Sequence, residues 1–307
     1  MKSDRRRFLQ ASAGSVALAA LPLRLKGASA NTVTLGNASL TVVSDGNLVL
    51  PGNFVAPPDI PADQFEALVK EHGLNARSYE PACNLSLWQS DDRLVLFDVG
   101  SGPNFMPSAG KVLESLEAID IDPSDITDVV FTHAHPDHLW GLIDDFDEFA
   151  FPEARYHMCE VEWDYWADPD TINKLPESRQ VFAVGAQSRM AYLEESIQLF
   201  KYGQEILPGI EAVDTSGHTP GHTSFALHSG SDSMMVLGDA ITHPVISFQK
   251  YDWPTGSDQD PVMGQETRKK LLDRMAQDQM QILGFHLPYP GIGYARRKDS
   301  AYQFVTA

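Results

Sequence analysis

The feature that most constrains this sequence is a loop of metal-binding side chains that directly follows an apolar run. Residues 128–131 have the composition of a buried strand, and the next seven residues contain three histidines and an aspartate. In an extended segment alternate side chains point to the same side, so His133 and His135 face one point. Asp137 and His138 follow a proline that bends the chain, and they can face a second point. The loop therefore predicts ligands for two metal ions.

The alternative is a histidine-rich surface turn, which would need no matching ligands later in the chain. A metal centre would need them. His218, Asp239 and His286 each follow the end of a later apolar run. Imidazole and carboxylate groups bind zinc, manganese, iron or cobalt, and a shell of three side chains leaves a position for a reactive water molecule. The loop and the later residues together predict a dinuclear metal centre.

The order H-x-H-x-D-H, then His, then Asp, then His resembles the metallo-β-lactamase superfamily of hydrolases. The resemblance covers nearly everything from about residue 31 to the C-terminus. It implies an α/β fold, a four-layer αββα sandwich, as a single domain over residues 31–307. It also implies how the ligands divide between two divalent ions, with zinc favoured: His133, His135 and His218 on one ion, Asp137, His138 and His286 on the other, and Asp239 bridging both.

In this family the nucleophile is a hydroxide that bridges the two ions, so no nucleophilic serine or cysteine is required. The sequence also lacks the Gly-x-Ser-x-Gly elbow of serine hydrolases. Asp137 is the candidate catalytic residue, because one carboxylate oxygen can stay off the metal and pass a proton to the leaving group. The family's buried aspartate, which orients a ligand histidine, corresponds to Asp98. His222 is expected to support its loop rather than to bind metal.

The substrate is narrowed by a second resemblance. Residues 217–223, 237–239 and 290–293 are most similar to the methyl parathion hydrolase branch, whose relatives include lactone hydrolases. Phe105, Trp166 and Phe182 resemble, in local sequence and spacing, the aromatic residues that line the leaving-group side of the pocket in that branch. Such a lining suits a small apolar ester or lactone. Phe182 lies on a helix predicted over residues 177–200, off its apolar stripe. Trp166 belongs to an aromatic cluster for which a core position is the alternative.

The expected activity is therefore metal-dependent hydrolysis of lactones, carboxyl esters or phosphotriesters. Hydrolysis of β-lactams is an alternative, disfavoured because antibiotic-hydrolysing members commonly have Cys or Ser where this chain has Asp239. Quorum-signal lactonases carry a tyrosine where this chain has Thr242, which makes an acyl-homoserine lactone a less favoured substrate. A metal-binding protein without turnover is the other class left open, and so is a homodimer.

Charge excludes one group of functions. The chain has a formal net charge of −19, and residues 31–307 carry 17 basic against 41 acidic residues, a net charge of −24. Binding to nucleic acid depends on Lys and Arg that neutralise phosphates. A nuclease or other nucleic-acid partner is therefore not expected.

The first thirty residues have the features of an export signal. Arg5 and Arg6 resemble a twin-arginine pair, and a short apolar run and Ala-Ser-Ala at residues 28–30 follow. The run is too short for a stable membrane span, so we expect a periplasmic protein without stable membrane insertion after cleavage. A retained N-terminal anchor is the alternative. Cys83 and Cys159 are expected to be buried free thiols, with a disulfide as the alternative.

Overall fold

Two seven-stranded sheets form the centre of the protein. The computed structural model describes residues 31–52, 54–57 and 60–307, so the predicted export signal lies outside the described residues. The strands, in chain order, are β1 (Thr32–Leu35), β2 (Ala38–Asn47), β3 (Leu50–Pro51), β4 (Ser78–Tyr79), β5 (Ala82–Ser90), β6 (Arg93–Phe97), β7 (Asp128–Val130), β8 (Arg155–Cys159), β9 (Gln198–Phe200), β10 (Glu205–Leu207), β11 (Ile210–Asp214), β12 (Thr223–Ser229), β13 (Asp232–Val236), β14 (Gln281–Leu283), β15 (Ile292–Lys298) and β16 (Ala301–Thr306).

The sheets have related topologies. The first has the order β1-β2-β5-β6-β7-β8-β9, and its strands are antiparallel up to β6 and parallel from β6 to β9. The second runs from β10 to β16 in chain order and is antiparallel except for the parallel pair β13 and β14. Each sheet therefore contains parallel strands whose carboxyl ends meet at one edge. β3 and β4 form a separate two-stranded sheet.

The inner faces of the two sheets pack against each other. One apolar cluster combines Trp88, Phe97 and Val130 from the first sheet with Phe225 and Leu283 from the second, all buried. The rings of Phe97 and Phe225 lie 5.1 Å apart between centroids. Facing sheets bury their alternating apolar residues in this way, and each buried large side chain contributes about 1.5–3 kcal/mol.

Helices cover the outer faces, and two further apolar clusters lie beneath them, one on each sheet. The αββα prediction is thereby confirmed. No helix in the described ranges is long and apolar enough to cross a membrane. The α-helices are α1 (Ala62–Glu71), α2 (Val112–Glu117), α3 (Pro136–Leu139), α4 (Glu160–Ala167), α5 (Thr171–Lys174), α6 (Gln180–Met190), α7 (Ile246–Gln249) and α8 (Pro261–Gln277).

The helix predicted over residues 177–200 is wrong in its extent. A 3₁₀ turn at Glu177–Arg179 leads into α6, which ends at Met190, and β9 follows after a series of turns. The apolar stripe predicted for this helix includes Val181, Val184 and Met190. The two valines are 55% and 53% exposed, whereas Met190 is buried. Small residues make the buried side instead, since a Cβ on Gly185 would lie 2.2 Å from the Trp140 ring. The buried face of α6 is therefore the one where a residue without a side chain lets the helix lie close to Trp140.

Candidate metal centre

The predicted ligands lie together at the carboxyl ends of strands from both sheets. The loop with His133 and His135 follows β7, Asp239 follows β13, and His286 follows β14. His218 comes from the loop between β11 and β12. Sites of α/β sheets commonly lie at the carboxyl ends of the strands. Polar side chains in these positions leave the strands themselves free to bury apolar residues.

Three histidines form the first set of predicted ligands. The distance from His133 Nε2 to His135 Nδ1 is 3.0 Å, and from His135 Nδ1 to His218 Nε2 it is 2.9 Å. Burial holds the pKa of His133 and of His135 well below the usual value, so both rings are neutral and offer lone pairs. Three converging imidazole nitrogens fit a zinc-type ion.

The second set lies beside the first. His286 Nε2 is 3.2 Å from Asp137 Oδ2 and 3.2 Å from Asp239 Oδ2, and His138 Nε2 is 3.3 Å from Asp239 Oδ1. Asp239 Oδ2 is also 3.3 Å from His218 Nε2 of the first set. The structure therefore places Asp239 between the two sets, where one carboxylate can contact both ions.

Several atoms of this cluster are buried without a hydrogen-bond partner among the described residues, including Asp137 Oδ2, His138 Nε2 and Asp239 Oδ1. Such atoms cost about 1–3 kcal/mol each unless something else satisfies them. Burial would raise the pKa of Asp239, but the charges of His286 and His138 outweigh it and hold the pKa well below the usual value. An ionised carboxylate on which several imidazole nitrogens converge fits a pair of divalent cations.

Asp98 orients a ligand histidine, as predicted. Its Oδ2 is 2.8 Å from His138 Nδ1, and its Oδ1 accepts the backbone N–H of Thr132 at 2.8 Å. Burial would lower the pKa of His138, but the carboxylates of Asp239, Asp98 and Asp137 raise it to about 10. A cation at Nε2 must therefore displace a proton, and Asp98 then fixes the tautomer that leaves Nε2 free.

A second orienting carboxylate was not predicted from the sequence. Asp258 Oδ1 lies 3.4 Å from His218 Nδ1, and its Oδ2 accepts a 2.6 Å hydrogen bond from Arg268 Nη1. Arg268 is 3% exposed, so the ion pair is buried. Asp258 precedes α8 by three residues, and nothing in its local sequence indicates that it faces a ligand 40 positions earlier.

Glu162 is a further supporting residue that the sequence did not reveal. Its carboxylate accepts hydrogen bonds from the backbone N–H of Ala134 at 2.9 Å and of Gly221 at 2.9 Å. It also accepts from Thr219 Oγ1 at 2.7 Å and from Trp166 Nε1 at 2.6 Å. Glu162 is fully buried, and burial raises the pKa of its carboxyl. One side chain thus joins the two loops that carry the first set of ligands.

His222 supports its loop, as predicted. Its Nδ1 is 2.8 Å from Thr215 Oγ1, and its Nε2 accepts the backbone N–H of Asp239 at 2.9 Å. Gly238 allows this approach, because it has a φ of +53° and a Cβ there would lie 2.7 Å from His222 Nε2. With both ring nitrogens engaged, His222 is not available as a ligand.

A largely apolar cavity opens onto the ligands. Phe105 and Phe182, both half-buried, are on its wall as predicted, and the Phe182 ring lies 5.7 Å from that of His135. The prediction for Trp166 is wrong: it is fully buried, does not line the cavity, and packs behind His135 with its N–H bound by Glu162. Further apolar lining side chains are Leu48, Leu50, Phe54, Val55 and Pro81.

Cys83 and Cys159 are both free and buried, which confirms the expected state of the thiols. Cys83 has an unexpected position, because its sulfur lies within 4.8 Å of ligand atoms of Asp137 and His286. It is on β5, in a strand with no sequence signal for metal binding.

Comparisons with known proteins agree with this geometry. Residues 79–278 match the family model described as the Metallo-beta-lactamase superfamily. A probable metallo-hydrolase of Streptococcus pyogenes serotype M6 is 26% identical over 207 residues, which cover 66% of this chain and 76% of that protein. AidC, a dizinc quorum-quenching lactonase solved with a homoserine product, is 25% identical, with a TM-score of 0.84 over 90% of this chain and 96% of that one. The hydrolase AbOPH is 27% identical, with a TM-score of 0.83 over the same shares of each chain.

Proposed function

This chain belongs to the metallo-beta-lactamase superfamily, and we propose that within it the protein is a dinuclear metal-dependent hydrolase of lactones, carboxyl esters or phosphotriesters. The observation that carries the proposal is the position of Asp239. Its carboxylate lies 3.3 Å from His218 on one side and 3.2 Å from His286 on the other. Zinc is the proposed metal, supported by the histidine-rich ligand set and by the dizinc centre of AidC.

When bound, the two ions would activate a water molecule and polarise the oxygen of the scissile bond. The chain's own residues supply the rest. Asp137 lines the cavity beside the cluster, so the carboxylate oxygen that stays off the metal can receive a proton from water and deliver it to the leaving oxygen. Asp98 and Asp258 hold their histidines by Nδ1, which keeps the opposite nitrogens directed at the centre.

The cavity supports a small apolar substrate. Leu48, Val55, Phe105 and Phe182 surround the approach to Asp137 and exclude water from it. Arg179 also lies at this wall, and its guanidinium donates to the backbone oxygen of Ser257 at 3.4 Å. An uncharged ester or lactone with an apolar or aryl group fits such a lining. The likeness to AidC supports a lactone, and the apolar lining suits the esters and phosphotriesters expected from the resemblance to the methyl parathion hydrolase branch.

Two other functions use the same ligands. A β-lactam hydrolase would need its cavity to accept a charged drug, which the apolar lining disfavours. A metal-binding protein without turnover would keep the same ligands and hydrolyse none of these substrates. Initial rates on a lactone, an aryl ester, a phosphotriester and a β-lactam, at identical zinc loading, separate these cases. We expect at least one of the first three to be hydrolysed fastest, with the activity lost in Asp137→Asn. A β-lactam as the best substrate, or no turnover with two zinc ions bound, would refute the proposal.

We propose, in addition, that the protein is exported to the periplasm and begins near residue 31 after cleavage. The support is the pair Arg5 and Arg6 with the apolar run and small residues that follow. Replacing both arginines by lysine should leave the precursor in the cytoplasm, because a receptor reads the pair itself. Mass spectrometry of the periplasmic fraction measures the N-terminus. An intact N-terminus held in the membrane would contradict the proposal.

A further inference from the structure

A thiol lies beside the second set of ligands, outside the seven predicted ligand positions. Cys83 Sγ, a carboxylate oxygen of Asp137 and a ring nitrogen of His286 are all within 4.8 Å of one another. Cys83 is fully buried, and the other two residues are 6% and 7% exposed. We propose that Cys83 is a thiolate ligand of the second metal ion, together with Asp137 and His286; this inference rests on the dinuclear centre proposed above.

The distances allow a shared ion. Bonds of about 2.0–2.3 Å to a four- or five-coordinate zinc ion separate neighbouring ligand atoms by roughly 3–4 Å. His286 Nε2 and Asp137 Oδ2 are 3.2 Å apart, so two corners already have this spacing. The third corner needs at most a movement of about 1 Å by the sulfur, which a change of one side-chain torsion angle provides.

The surrounding contacts favour ligation over simple packing. Asp137 Oδ2 is a buried oxygen with no hydrogen-bond partner among the described residues, and it is directed into this cluster. His286 Nδ1 is 2.9 Å from the backbone oxygen of Ala82, the residue before Cys83. That bond fixes the ring so that Nε2 faces the centre, and it anchors the ring to the strand that carries the thiol. A cysteine that only packs would not need to lie beside a buried carboxylate and an oriented imidazole that face the same point.

Ligation by Cys83 would make the two metal positions unequal. The first has three histidines and the shared Asp239, whereas the second would have one ligand more and a soft donor among them. Thiolate favours zinc and cobalt over manganese and magnesium. The thiol proton would be released to solvent as the ion binds, so binding of the second ion would release one proton more than histidine and carboxylate ligands alone. The second position would therefore be the more selective one.

Cobalt substitution tests the inference. Visible absorption bands report occupied Co²⁺ sites, and a sulfur-to-cobalt charge-transfer band in the near ultraviolet reports a thiolate ligand. We expect the protein with two bound Co²⁺ ions to show this band and Cys83→Ser to lack it. Loss of an outer partner of a ligand lowers metal affinity by about 10- to 100-fold. Loss of the Cys83 thiolate should lower the affinity for the second ion by at least as much. Cys159→Ser is the matched control, because Cys159 is also buried and free but belongs to no ligand cluster among the described residues.

X-ray absorption on the zinc-loaded, unsubstituted protein gives a second readout that does not depend on folding of a variant. A sulfur scatterer at about 2.3 Å is expected. Two bound Co²⁺ ions without the near-ultraviolet band, or a zinc shell of nitrogen and oxygen alone, would overturn the role of Cys83 and leave the dinuclear hydrolase intact. Binding of only one ion would overturn the proposed centre itself, and the role of Cys83 with it.

Discussion

Replacing Glu162 by glutamine tests whether a buried carboxylate joins two ligand loops. The amide keeps one acceptor oxygen and turns the other into a donor. If the new NH₂ group faces Ala134 and Trp166, two N–H groups lose their acceptor. If it faces Thr219 and Gly221, the Thr219 hydroxyl can turn to accept, and only the Gly221 N–H is left unpaired. The second orientation costs less. One unpaired buried donor costs about 1–3 kcal/mol, so we expect the free energy of unfolding to fall by about 2 kcal/mol.

Metal binding should fall as well. Ala134 lies between His133 and His135, and Thr219 follows His218, so relaxed loops lose the convergence of three nitrogens. Loss of such an outer partner costs about 10- to 100-fold in metal affinity. Denaturant unfolding of the metal-free protein and zinc competition against a chromophoric chelator measure the two effects separately.

The matched control is Glu160→Gln on the same helix. Glu160 forms an exposed ion pair with Lys201 at 3.2 Å, which contributes less than about 1 kcal/mol, and it touches neither loop. Equal unfolding free energies and equal zinc affinities for Glu162→Gln and Glu160→Gln would refute the reasoning, because the four hydrogen bonds would then have no role in shaping the site.

Three further changes have definite expectations. Asp239→Ala should reduce bound zinc from two ions per chain to fewer than one and abolish hydrolysis; two retained ions would disprove the ligand assignment. Phe182→Ala should raise KM for aryl esters about tenfold with the melting temperature nearly unchanged, since the ring is half-buried on the cavity wall. Burial would raise the pKa of Asp128, but His157 and Arg155 help to lower it to about 2. A lowered pKa stabilises the fold above pH 3.8, and this effect is lost as the pH falls through about 2. Asp128→Asn should therefore cost about 1–2 kcal/mol at pH 7 and much less at pH 2, by denaturant unfolding.

What the sequence predicted correctly was local in the chain. Asp98 and His222 stand in short motifs at strand ends, where the turn fixes the direction of the side chain, and both have the supporting roles expected of them. The αββα layers were implied by the family resemblance, which itself rests on short motifs at strand ends.

The residues that sequence reasoning missed act over long distances in the chain. Glu162 accepts from Gly221, 59 positions later, and Asn84 on β5 donates to the backbone oxygen of Leu287, 203 positions later. Only the packing of the two sheets brings such pairs together. Cys83 reaches the second set of ligands by the same route, since β5 and the loop after β14 meet only in the fold.

Two predictions were wrong: the extent of the helix over residues 177–200 and the position of Trp166 in the pocket. The interface of α6 depends on small residues, for which a search for large apolar side chains has no signal. Trp166 was assigned to the pocket by resemblance, yet its indole N–H needs a buried acceptor, and Glu162 provides one away from the cavity.

The most direct test of the dinuclear hydrolase is the rate of ester or lactone hydrolysis as a function of zinc bound per chain. Protein stripped with a chelator is titrated with zinc, and bound metal and initial rate are measured on the same samples. We predict that the rate rises with zinc and reaches its plateau at two ions per chain, because Asp239 and both sets of ligands must be engaged. Full activity with no bound metal, or no activity on any ester, lactone or phosphotriester with two ions bound, would contradict the account.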